Sequence, residues 1–118
     1  MKQIKLVTAY VMLLTLSACA QKPVNHEDDL MKFAKSNCFF WYFKSQNLDP
    51  TEIRKITAGI VEMSSYSASR FEEVALLVKT YSPKIPTKNN ANITLLKCFN
   101  LESDQEFINN LNEIRVGN

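Results

Sequence analysis

The residues able to do chemistry in this chain are few: one histidine, three cysteines and scattered carboxylates. Catalysis by side chains needs a poised base, or a nucleophile with a base beside it. The single histidine, His26, lies in a short polar stretch near the N-terminus, so no histidine-based dyad is available to the rest of the chain. Gly59 and Gly117 are the only glycines, which leaves no glycine-rich loop to cradle a phosphate, and neither HExxH nor CxxC spacing occurs. The carboxylate pairs Asp28-Asp29 and Glu72-Glu73 fall where helices are expected to begin. Negative charge is favoured there by the helix dipole, without any catalytic role. No enzymatic activity, cofactor or metal site is expected.

The cysteines say more. Lys2 and Lys5 flank the start of an apolar run, Leu6 to Leu16, far shorter than the ~20 residues that a membrane-spanning helix needs. A positive start, a short apolar core and then small residues is the layout of an export signal. The run ends in Leu16-Ser17-Ala18-Cys19, which resembles the lipobox of bacterial lipoproteins, where the cysteine after the cut is diacylated through its sulfur. The expectation is a signal peptide over residues 1–18, a lipid on Cys19, a tether over 19–26 containing Pro23, and one domain over 27–118. More than one acyl chain makes such an anchor durable. Ala20 resembles the residue that follows the cysteine in lipoproteins sorted to the outer membrane, so the expected location is the periplasm. In that oxidising compartment Cys38 and Cys98 are expected to pair rather than to hold a metal, with two buried free thiols as the alternative. A link across 60 residues would constrain the unfolded chain by about 4 kcal/mol.

Without its leader the chain has 100 residues, enough for a modest core, and its twelve basic and twelve acidic side chains balance. Nucleic-acid binding has no electrostatic basis in that balance. The elements read as helices. Leu30, Phe33, Ala34, Asn37, Cys38 and Trp41 recur at three- and four-residue steps and predict a first helix from Glu27 to about Ser45. Asp49-Pro50-Thr51-Glu52 offers a cap, a proline and a glutamate able to reach back, opening a second helix with the stripe Ile53, Ile56, Ile60 and Ser64. Gly59 inside it suggests close approach of another backbone. Ser69-Arg70-Phe71-Glu72 opens a third helix that buries Phe71, Val74, Ala75, Val78 and Tyr81. A fourth, after Asn92, presents Ile93, Leu96 and Phe99, and Ser103-Asp104-Gln105-Glu106 caps a fifth carrying Phe107, Ile108, Leu111 and Ile114. The predicted fold is an all-α bundle of about five helices.

Two features exceed what such a bundle needs. Phe39 to Phe43 is a run of five aromatics, so the first helix is apolar all round and is expected to be central, or else to offer Phe39 and Phe43 as a dimer or partner surface. Ser82 to Asn90 is a basic loop stiffened by Pro83 and Pro86, with Ile85 expected to be exposed between Lys84 and Lys88 and with Asn89 near its end; it is either a binding loop or a plain helix connector.

The blocks FAKSNCFF, DPTEIRKITAGI and ITLLKCFNLES together resemble the type VI secretion amidase immunity proteins, over about Leu30 to Leu111. Asn100 departs from the acidic residue expected after the second cysteine. The resemblance implies a helical periplasmic homodimer that inhibits a papain-like cysteine amidase delivered by neighbouring cells to cut peptidoglycan stem peptides. The loop residues Pro83, Lys84, Ile85, Pro86, Lys88 and Asn89 are then the expected toxin-binding set. The alternative is a non-catalytic scaffolding lipoprotein of the envelope.

Overall fold

An apolar helix needs cover on every side, and α1 (Asp29–Ser45) receives it from all four other helices. These are α2 (Thr51–Met63), α3 (Ala68–Thr80), α4 (Ile93–Asn100) and α5 (Gln105–Val116) in a computed structural model that describes residues 28–117. The leader, Cys19 and the tether lie outside the described residues. Among the described residues there is no strand, and the fold is the expected all-α bundle with α1 at its centre.

The core is built mainly by three of the helices. Leu30, Phe33, Ala34 and Cys38 of α1 pack with Phe71, Val74 and Val78 of α3 and with Phe107 and Leu111 of α5. Phe33 and Phe71 meet with ring centroids 5.0 Å apart. The helices α2 and α4 flank α1 instead, and α2 buries no residue fully. Cys38 and Cys98 are joined, with Cα atoms 5.5 Å apart, which fixes α4 to the middle of α1.

Pairs along the helices give their directions. Cys98 meets Cys38, Phe99 meets Phe39 and Glu102 pairs with Lys35, so α4 runs antiparallel to α1. Thr57 hydrogen-bonds Ser36 and Arg54 lies over Phe40, so α2 is antiparallel as well. At one pole Asp28, ahead of α1, pairs with Arg115 near the end of α5 and accepts a 3.3 Å hydrogen bond from Tyr66. The end of α1, the start of α2 and the start of α4 form the opposite pole.

Several local readings need correction. Trp41 is 41% exposed because the α1 stripe rotates out beyond Cys38, where α3 and α5 no longer cover it. A Cβ added to Gly59 would meet nothing within 4 Å, so no backbone approaches it. On α4 two of the three predicted stripe residues face outward: Ile93 and Phe99 are exposed and Leu96 is half-buried, whereas Cys98 and the following Leu101 are buried. The third helix starts at Ala68, so Glu72 and Glu73 lie beyond its first turn, and Glu73 pairs with Arg70. The second helix starts at Thr51 with Pro50 rather than Asp49 at its cap position, and Asp49, one residue earlier, accepts from the Thr51 backbone N–H at 3.0 Å and from its hydroxyl at 2.6 Å. These bonds to Thr51 hold its carboxyl below the usual range. Glu52, expected to reach back to that cap, pairs with Lys55 instead.

The contrast between core and flank is measurable. Phe107→Ala should cost about 3–5 kcal/mol in chemical denaturation, and Ile56→Ala on exposed α2 less than about 0.5 kcal/mol. Equal losses would contradict this division of the core.

Candidate functional site

The segment from Ser82 to Asn92 leaves α3 and enters α4 without regular structure. Its base is braced by Tyr81. The Tyr81 ring packs on Phe107 at 5.0 Å, its hydroxyl donates to Asp104 Oδ2 at 2.7 Å, and Asn100 Nδ2 donates to that hydroxyl at 2.7 Å. The end of α3 is thereby tied to the α4–α5 turn. Asp104 also caps α5 by accepting from the Phe107 N–H, and this bond together with the Tyr81 hydroxyl holds its carboxyl below the ordinary range. Burial, reinforced by the Asp104 carboxylate, pushes the Tyr81 hydroxyl up to about 12. Lys97 lies 5.6 Å from the Tyr81 ring centroid, and desolvation there lowers its pKa.

The far end of the segment is set by its asparagines. Asn89 and Asn90 adopt left-handed conformations, with φ of 62° and 53°, which asparagine tolerates better than most residues. Asn92 then caps α4 by accepting from the Leu95 N–H at 3.0 Å.

Between these anchors Lys84, Pro86, Lys88 and Asn89 are exposed and Pro83 is half-buried. Ile85 was expected to be exposed and is half-buried, so it is partly seated before any partner arrives. Pro83 edges a recess of about 350 Å³ shared with Leu77, Phe107 and Asn110. From Val74 to Leu101 the chain carries Lys79, Lys84, Lys88 and Lys97 and no carboxylate. That one-signed stretch was visible in the sequence beneath the balanced overall charge. The Tyr81 brace was not, because it joins side chains 19 and 23 positions apart.

The second candidate surface divides in two. Phe39 is edge-on to Phe99 at 6.2 Å and borders a groove of about 390 Å³ with Ile53, Ile56 and Ile60. Phe43 is half-buried one turn further along α1, edge-on to Tyr42. On the other flank of α2, Phe40 and Arg54 wall a groove of about 470 Å³ that also takes in Asn37, whose buried Oδ1 has no hydrogen-bond partner. Among the described residues no three His, Cys, Asp or Glu side chains cluster as a metal site, and no helix is long and apolar enough to cross a membrane. Comparison with known protein families, curated proteins and solved structures returned no match.

Tyr81→Phe keeps the ring contact and removes the brace, and should lower stability by about 1 kcal/mol at neutral pH. Below the ordinary tyrosine pKa of 10.0 the hydroxyl is protonated in both states and its contribution is complete. As pH rises from there towards about 12, the unfolded chain ionises first and that contribution is lost. Alkaline denaturation should therefore begin at lower pH in wild type relative to its own neutral stability than in Tyr81→Phe, and identical pH profiles would count against the brace.

Proposed function

We propose that this chain is a lipid-anchored periplasmic immunity protein of the type VI secretion amidase class, binding a papain-like cysteine amidase and closing its cleft with the Ser82 to Asn90 segment. The observation that carries the reading is a basic, proline-containing loop braced at both ends on a helical body. Bracing and prolines reduce the entropy lost on docking. An inhibitor that must act on few toxin molecules needs nanomolar or tighter affinity, about −12 kcal/mol, from an interface of about 1,600 Å². Ile85 is the proposed anchor, with Lys84 and Lys88 at the rim, where charge governs association rate more than affinity.

The resemblance also implies a homodimer, and the face with Phe39, Phe99 and Ile56 supports it, since Phe99 and Ile56 are 69% and 55% exposed. The same apolar face would equally serve a scaffolding lipoprotein that binds an envelope component, and that reading gains if no amidase is inhibited.

Ile85→Asp should weaken inhibition of a cognate papain-like amidase by a factor of about 30 or more, with the helical spectrum retained. Lys88→Ala should have a small effect that shrinks in high salt. Inhibition by Ile85→Asp equal to wild type would make the segment a connector. Cys19→Ser should abolish labelling by a palmitate analogue, and label persisting in that variant would remove the anchor. Light scattering at micromolar concentration should give the mass of a dimer, and a monomer mass would remove that part of the reading.

A further inference from the structure

The stretch from Ser82 to Ser103 is a strap laid on a core that is nearly complete without it. Of the eleven buried apolar residues it supplies only Cys98 and Leu101, the other nine coming from α1, α3 and α5. Its helix, α4, packs substantially against α1 alone and has eight residues. A helix that short does not persist in water without packing. Ile93 and Phe99 on it are more than half exposed, and Cys98 is its one fully buried residue. Besides the disulfide, the strap meets α1 through the Phe39–Phe99 edge contact and the Lys35–Glu102 ion pair, and Leu101 near its end seats in the core.

We propose that the Cys38–Cys98 disulfide is a redox latch on this strap: oxidised, it pins α4 and so gives the Ser82 to Asn92 loop its shape, and reduced, it lets residues 82–101 open as a unit while α1, α3 and α5 stay folded. The packing is the reason. Without the disulfide the strap is held by the hydrogen bond of its Asn100 to Tyr81 and by Leu101, whereas a covalent bond at Cys98 pins α4 to α1 directly and leaves less of the strap to be ordered by such contacts. Reduction by an external dithiol breaks the S–S bond and forms two S–H groups. The two electrons and two protons come from the dithiol, which closes to its own disulfide. Both cysteines are 2% exposed, so the dithiol gains access only when the strap breathes, and the latch is slow to open once closed. A chain folded without oxidation would hold its core but lack a shaped loop.

The latch stands on packing, and its consequence for inhibition rests on the immunity reading. Hydrogen exchange on the full chain tests the first part, comparing the oxidised protein, the protein held in excess dithiothreitol, and Cys38→Ala/Cys98→Ala. The expected result is at least about tenfold faster exchange confined to the amides of α4 in both thiol-free states, with those of α1, α3 and α5 unchanged. Unchanged α4 exchange would overturn the latch. So would uniform acceleration across all helices, or a double variant that fails to fold while the reduced protein exchanges uniformly. Amidase inhibition is the separate readout. Selective opening with inhibition undiminished would keep the latch and reject the loop as the inhibitory surface, and selective opening with inhibition weakened at least about tenfold would support both.

Discussion

The constraint on which this structure depends is the apolar circumference of α1. From Leu30 to Cys38 the helix carries Leu30, Phe33 and Ala34 towards α3 and α5 and Cys38 onto α4, and beyond Cys38 the aromatic run leaves no polar face of useful width. Such a helix is stable only if other elements surround it, and a short domain has few to offer. Two of them, α3 and α5, close a true core over one side. The other two, α2 and α4, cover the remainder as single layers held by α1, so their outer faces and the grooves beside them stay open. The exposed apolar residues Ile56, Met63, Ile93 and Phe99 follow from this arrangement.

That division explains what could be read from the sequence. Elements that build the core announced themselves: Phe71, Val74 and Val78, or Phe107 and Leu111, recur at the helical period because one side of each helix is wholly buried. The cap segment of the fifth helix was legible too, with Asp104 accepting from the Phe107 N–H, whereas those expected from Asp49 and Ser69 fall one residue before and two residues after the observed cap positions. The flanking helices were harder. Ile93, Leu95, Leu96 and Phe99 spread apolar character around most of α4, and over eight residues the period cannot choose a face; the bond to Cys38 chooses it. Gly59 was read as a packing device, yet it sits on a helix with no second neighbour at that point. The loop's prolines and lysines were visible, but the Tyr81, Asn100 and Asp104 hydrogen bonds that brace it required tertiary placement. Asn100, unexpected at its position, is the donor that completes that brace.

The two poles give the proposed function a geometry. Asp28 begins the described domain beside Arg115 and Tyr66, and the entry to α4, with the end of the loop, lies at the other pole. The nine residue-to-residue steps from Cys19 to Asp28 reach at most roughly 30 Å when extended. On the proposed reading, a lipid on Cys19 keeps the Asp28 pole within that reach of the membrane and leaves the loop's far end at the opposite pole. The lysines from Lys79 to Lys97 would then form a one-signed field around that end, which steers an encounter more than it strengthens the final complex.

The most direct test of this account places a photo-crosslinking amino acid at position 85 in one protein and at position 56 in another, and illuminates each with a cognate papain-like amidase. The account predicts a covalent adduct from position 85, mapped to the amidase cleft and suppressed by excess wild-type protein, with none to the amidase from position 56. An adduct from position 56 alone would place the inhibitory surface on α2 and contradict it.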